Sequence, residues 1–283
     1  MKYLAIILTT VLALALTVSA NTVLVNPSKA IQSRRAESSL RCGGVLNGAE
    51  GGISYKPYEP ILPNERCVWT VQANNAEGYT LNVLRLGSEE GTEIQASCIK
   101  GPWAMWSYPV SSTGEMNRTI SECPVLVITL YSTASSQTAR GFILEYEAKI
   151  STGSNKISTT SKQQITNAES GHIRYPGNGL NYTNSEVSTF VFAPTNNIFA
   201  ARRNASVIFV EDWLDDVHCY DELHVFHLKE SVSGQRRVWD WAAAVCPGTD
   251  MKELSNHDDL ILVVFLTDEN RTGSGFHLIH SRK

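Results

Sequence analysis

The 283 residues are enough for two domains of ordinary size, and 42% hydrophobic residues supply a core for each, which argues against a disordered chain. The formal net charge of −4 comes without any Lys/Arg run, so nothing matches a nucleic-acid backbone or an anionic membrane surface.

Taken from the N-terminus, Lys2 precedes an apolar stretch from Tyr3 to Val18 that closes on Val18-Ser19-Ala20. The small residues suit a signal peptidase, and the stretch falls short of the roughly 20 apolar residues a bilayer span needs. Residues 1–20 are therefore expected to be a cleaved signal peptide, giving a secreted, extracellular protein without membrane insertion. Residues 21–41, with Arg34-Arg35 and no apolar periodicity, read as a flexible leader. Short alternating patterns follow at Cys67-Trp69-Val71, Tyr79-Leu81-Val83 and Phe142-Leu144-Tyr146, with a continuous apolar run at Val125–Tyr131. Residues 149–166 are polar and low in complexity, as an interdomain linker would be. Beyond them come one short helix expected near Trp239–Val245, a second apolar run at Leu260–Leu266, and Phe276-Leu278. Short strands between Gly, Pro, Asn and Ser clusters predict an all-β chain of two tandem sandwiches, 42–148 and 167–281.

Six cysteines, Cys42, Cys67, Cys98, Cys123, Cys219 and Cys246, favour disulfides in a secreted chain. Consecutive pairing gives three loops of similar length, each contributing about 3 kcal/mol through loop entropy. It is one of about 15 possible connectivities. The sequons at Asn117, Asn181, Asn204 and Asn270 predict surface glycans. The halves also echo each other. Gly52-Ile53-Ser54-Tyr55 answers Gly171-His172-Ile173-Arg174-Tyr175, and Gly141-Phe142 answers Gly275-Phe276, which reads as a duplication.

Cys42-Gly43-Gly44, Gly52-Ile53-Ser54-Tyr55 and Cys67-Val68-Trp69-Thr70-Val71, with Cys98, Cys123 and Gly141-Phe142, resemble a CUB domain over residues 42–148. The resemblance implies a jelly-roll-like sandwich with Cys42–Cys67 and Cys98–Cys123 disulfides. The second half is similar but has Ser188 near the second cysteine and Phe190 for the tryptophan, leaving Cys219–Cys246 as the expected later pair.

All nine aspartates lie from Asp212 onward. Glu211, Asp212, Asp215, Asp216, Asp221 and Glu222 crowd one loop, and Asp268 follows the last apolar run. Calcium takes about 6–8 hard oxygen ligands, so carboxylates from separate loops can share an ion. The resemblance implies Ca2+ in domain two alone, held by Asp221, Asp268 and an earlier acidic residue, Asp215, for which Asp212 and Glu211 are alternatives. Gly101 and Thr133 are expected at the aspartate positions of domain one. In related modules the ion's outer oxygens receive a basic side chain from a protein partner, and by resemblance Tyr220 and Asn270 flank that contact.

No H-E-x-x-H, G-x-S-x-G or Gly-rich phosphate loop is present, so no enzymatic activity is expected. His224 and His227 fall on opposite faces of a strand and read as surface residues. Trp103, Met105, Trp106 and Tyr108 are either an exposed partner-binding loop or a core edge, while Trp213, Trp239 and Trp241 read as packing. The expected function is an extracellular protein-interaction module. The alternatives are a carbohydrate or glycoprotein binder using exposed aromatics, a regulatory subunit of an extracellular protease, and a self-associating matrix component.

Overall fold

In the computed structural model the described residues are 41–87, 92–101, 104–110, 117–133, 139–152, 161–193, 205–210, 220–230, 237–246, 253–256 and 260–282. The first nine strands are β1 (Gly44–Leu46), β2 (Glu50–Pro60), β3 (Arg66–Val71), β4 (Ala76–Leu86), β5 (Thr92–Gly101), β6 (Ala104–Pro109), β7 (Asn117–Ser121), β8 (Val125–Ser132) and β9 (Arg140–Ile150). The next nine are β10 (Gln163–Thr166), β11 (Ser170–Tyr175), β12 (Val187–Phe192), β13 (Ala205–Val210), β14 (Glu222–Glu230), β15 (Arg237–Val245), β16 (Glu253–Asn256), β17 (Ile261–Leu266) and β18 (Phe276–Arg282). Among the described residues one 3-10 turn, Gly177–Gly179, follows β11.

The first set makes a five-stranded sheet, β1-β3-β8-β5-β6, and a four-stranded sheet, β2-β9-β4-β7. The second set repeats that order strand for strand, as β10-β12-β17-β14-β15 and β11-β18-β13-β16. Even the exceptional parallel pairing recurs, β1 on β3 and β10 on β12. The chain is thus all-β, one nine-stranded sandwich topology used twice.

The echoed Gly-Phe pairs have a steric cause. A Cβ on Gly141 would sit 1.7 Å from the carbonyl oxygen of Tyr55, and one on Gly275 would sit 1.8 Å from that of Tyr175. Each glycine lets the last strand close against the second strand of its sandwich. The core aromatics repeat as well. Trp69 meets Tyr55 and Phe142 edge-on, each at 5.5 Å. Phe190 meets Tyr175 at 5.5 Å and Phe276 at 5.4 Å, so a smaller ring fills the tryptophan's place with the same geometry.

Both sandwiches bury one glutamate beside that aromatic cluster. Glu65 accepts hydrogen bonds from Tyr55 Oη and the Leu62 amide and pairs with Lys56 at 2.8 Å. Glu186 accepts from Tyr175 Oη, the Thr183 amide and Thr183 Oγ1. Burial raises the Glu65 pKa against the opposing hydrogen bond from Leu62, and burial lowers that of Lys56. For Lys56 the opposing influence is the charge of Glu59, so desolvation outweighs the opposing interaction in each group.

The apolar runs are explained by a second core. Along β8, Leu126, Ile128 and Leu130 point into the first sandwich, while Val125 and Val127 point out of it, yet neither is exposed. They pack with Val68 against Phe226, Leu262 and Val264 of the second sandwich. Along β17 the partition is the same, with Ile261, Val263 and Phe265 turned inward. The central strands β8 and β17 are buried on both faces, which produces continuous apolar strands in place of alternation. Alternation at Cys67, Trp69 and Val71 implies polar or exposed neighbours; Val68 and Thr70 are instead 1% and 0% exposed. Hydrogen bonds join the same faces: Trp239 Nε1 to Thr129 Oγ1 at 3.0 Å, the Arg237 amide to Glu93 Oε2 at 3.0 Å, and Gln72 Nε2 to the Val187 carbonyl at 3.0 Å.

Three expectations change. No helix forms near Trp239–Val245. These residues belong to β15, because pairing with β14 and burial of Trp239 and Val245 override the helix preference of Ala242-Ala243-Ala244. The expected linker 149–166 includes Gln163–Thr166, which is the parallel edge strand β10. His224 is not a surface residue: it is fully buried, on the face of β14 that carries Phe226 and Leu228 into the second core.

Disulfides join Cys42 to Cys67 and Cys98 to Cys123. Cys246 is also disulfide-bonded, and its expected partner Cys219 lies outside the described residues. The later cysteines do not occupy matching stations in the two sandwiches. Cys98 stands inside β5 opposite Leu126, where the second sandwich has His227 opposite Ile261. Where the second sandwich lacks the cysteine matching Cys67, Ser188 Oγ instead accepts from the Lys162 amide at 2.7 Å and donates to Tyr175 Oη at 3.2 Å.

Candidate calcium-binding site

The pairing of β14 with β17 sets Glu222 opposite Leu266, so Asp221 arrives beside the turn that follows β17. There the Asp268 amide donates to Asp221 Oδ1 at 2.9 Å, and Tyr182 Oη donates to Asp221 Oδ2 at 2.5 Å. The Tyr182 ring packs edge-on against Phe265 at 5.0 Å, fixing the hydroxyl's direction. The Asp268 carbonyl accepts from the Ser185 amide at 2.7 Å, and Asp268 Oδ1 accepts from the Asn270 amide at 2.7 Å. Asn184 Nδ2 donates to the Glu269 carbonyl at 2.6 Å, tying the loop before β12 to the same turn.

Asp221 is completely buried while Asp268 is partly exposed. A buried carboxylate is costly without hydrogen bonds or a counter-charge, and the hydroxyl and amide donors meet part of that cost. The oxygens of Asp221, Asp268 and Tyr182 are hard donors, which suit Ca2+ rather than a thiophilic metal. Asp215, with its alternatives Asp212 and Glu211, lies outside the described residues. Among the described residues no cluster of three or more His, Cys, Asp or Glu side chains is assembled for a metal.

Tyr220 stands 60% exposed next to Asp221, and Asn270 is exposed two residues beyond Asp268. Behind the site, Glu222 Oε2 lies 2.9 Å from His224 Nε2. Burial raises the Glu222 pKa and lowers that of His224 to about 4, so desolvation favours the neutral form of each.

The first sandwich differs at both carboxylate positions. Ser132 and Thr267 are counterparts, because each exchanges the same hydrogen bonds with the strand-starting Glu65 or Glu186. By that register Thr133 matches Asp268. The counterpart of Asp221 is then Thr92, opposite Ser132, and not Gly101 as sequence spacing suggested. The shift arises because Cys98 and Cys219 are not equivalent, so counting from them misaligns the strands.

The remaining candidates disperse. Trp106 is 56% exposed on β6, while Met105 packs toward the second core and Tyr108 toward the first; Trp103 lies outside the described residues. Trp239 is buried between the sandwiches, Trp241 is 41% exposed, and Trp213 lies outside. Asn117, Asn181 and Asn270 are exposed, and Asn204 lies outside the described residues. Sequence reasoning missed Tyr182, since no spacing links it to Asp221, and only the packing on Phe265 brings it there.

No protein-family model matches the chain, and no curated protein matches it either. Among solved structures, it is similar to the CUB1-EGF-CUB2 region of human MASP-1/3 at 13% identity, covering 83% of this chain and 100% of that one, with a TM-score of 0.32. The CUB1-EGF-CUB2 domains of rat MASP-1 match at 13% identity, covering 84% and 99%, with a TM-score of 0.30. The MASP-1 CUB2 domain bound to Ca2+ matches at 19% identity, covering 38% and 100%, with a TM-score of 0.30. These structural neighbours are CUB modules. The architecture of this chain stands on its own strand order, its disulfides and its repeated core aromatics.

Proposed function

We propose that this chain is a secreted, non-enzymatic protein with two CUB-type domains, residues 42–148 and 167–281, which binds an extracellular protein partner through a Ca2+-ordered loop of domain two. The observation that carries the reading is Asp221, buried and hydrogen-bonded to the Asp268 backbone and to Tyr182. Asp221 and Asp268 would hold the ion, joined by Asp215 from the preceding loop. The ion would supply the positive charge that holds these carboxylates together, and the partly exposed Asp268 carboxylate would receive a lysine or arginine of the partner as a charge-assisted contact that weakens with salt. Exposed Tyr220 and Asn270 flank that contact, and a glycan on Asn270 would block it.

Calorimetric titration of the secreted protein with Ca2+ tests the reading. One ion per chain is expected, lost in both Asp221→Ala and Asp268→Ala, with partner binding abolished by chelator. Absence of binding in the native protein would overturn the calcium reading. Chelator-insensitive binding competed by free sugars would transfer the function to exposed aromatics such as Trp106.

A further inference from the structure

The four-stranded sheet of the second sandwich carries a pair of histidines that the calcium site does not use. His172 lies on β11 and His277 on β18. The register places His172 opposite Ile279 and Arg174 opposite His277, so the two imidazoles are diagonal neighbours on one face. That face is the outer one: Ile173, Tyr175, Phe276 and Leu278 fill the core from the alternate positions, while His172 is exposed and His277 half-buried. The rings stack with centroids 5.3 Å apart and an interplanar angle of 24°. His172 Nδ1 and His277 Nε2 are hydrogen-bonded at 3.2 Å, the tautomer deciding which donates.

Two nitrogens bound to one tetrahedral ion at 2.0–2.1 Å are separated by about 3.3–3.4 Å. The observed spacing is close to that value, so the strand pairing sets both nitrogens near chelating distance before any ion arrives. We propose that His172 and His277 form a two-histidine site for a divalent transition ion of the Zn2+, Ni2+ or Cu2+ class. Imidazole nitrogen selects these ions over Ca2+, which takes oxygen. The site is therefore chemically distinct from the Asp221–Asp268 pair and stands on the other sheet of the sandwich. His280 takes no part, because it lies on the inner face against Phe192, with ring centroids 4.8 Å apart. Two coordination positions or more remain for water or for a ligand from a partner.

The structure also identifies what opposes binding. Arg174 is exposed on the same face, opposite His277, and its positive charge disfavours an incoming cation. An ion held here would clamp β11 to β18, the strands that begin and end this four-stranded sheet in the chain.

The test uses the full secreted chain saturated with Ca2+, titrated with ZnCl2 by calorimetry, with a thermal melt at each zinc concentration. One Zn2+ per chain is expected, with a zinc-dependent rise in melting temperature. His172→Gln and His277→Gln should each weaken binding at least tenfold and abolish that rise while leaving the zinc-free melt unchanged. Arg174→Ala should tighten binding, and His227→Asn should leave it as in the native chain. No saturation below about 1 mM, or zinc binding that survives both histidine substitutions, overturns the proposal. Because Ca2+ is present throughout and Asp221 and Asp268 are untouched, failure here is distinct from failure of the calcium reading.

Discussion

Val127 offers a direct test of the second core. Its side chain leaves the first sandwich on the face opposite Ile128 and is 0% exposed only because the second sandwich covers it. On an isolated sandwich, Val127→Asp would be a surface change, worth about 0.5 kcal/mol or less. In the joined chain it forfeits about 1.5–3 kcal/mol of valine burial, and a closed contact must also bury an unpaired carboxylate at a cost of several kcal/mol more. Opening the contact is the cheaper response. Small-angle scattering of Val127→Asp should therefore give a larger radius of gyration than the native protein. Calorimetry should show two separated unfolding transitions for the variant and one for the native chain. Both disulfides of the first sandwich and the far-ultraviolet strand signal should persist, since that sandwich's own core is untouched. An unchanged radius together with an unchanged single transition would refute the buried second face.

Three further outcomes follow from the same contacts. Tyr182→Phe removes the hydroxyl bonded to Asp221 but keeps the ring on Phe265; Ca2+ affinity should change measurably by calorimetry while stability falls by about 1 kcal/mol. His224 is neutral in the fold with a pKa of about 4 against an ordinary 6.5, so the unfolded chain takes up the proton first. In chelator, urea stability should then decline as pH falls from 6.5 toward 4, by up to ~3 kcal/mol, with Glu222 acting in the opposite sense over the carboxylate range. His224→Phe should flatten that decline, and an unaltered slope would show that other groups set it. Gly275→Ala places a Cβ 1.8 Å from the Tyr175 carbonyl oxygen at a backbone φ of +84°, so it should destabilise the second sandwich by more than 1 kcal/mol in thermal melts; the native melting temperature would contradict it.

What the sequence determined by itself was the arithmetic of strands and staples. Short apolar segments between turn residues permit little besides packed sheets, and duplicated Tyr, Phe and Gly positions repeat because each sandwich closes its last strand the same way. The aspartate asymmetry likewise drew attention to the second half, where the Asp268 backbone amide donates to the Asp221 carboxylate. Tertiary structure alone decided the rest, because those features depend on what covers a strand's second face. Val125, Val127, Leu262 and Val264 have the same composition whether they face a membrane, a partner or a neighbouring sandwich, so the second core was hidden in runs that already looked like strands. Trp239–Val245 took the strand conformation because β14 offered a ladder and the other sandwich offered a place for the indole. Thr92 replaced Gly101 as the counterpart of Asp221 because register is counted through hydrogen bonds, whereas spacing from a cysteine assumes that disulfides stay put. The His172–His277 approach was invisible for the same reason: residues 105 apart in sequence become neighbours only when the strands that carry them pair.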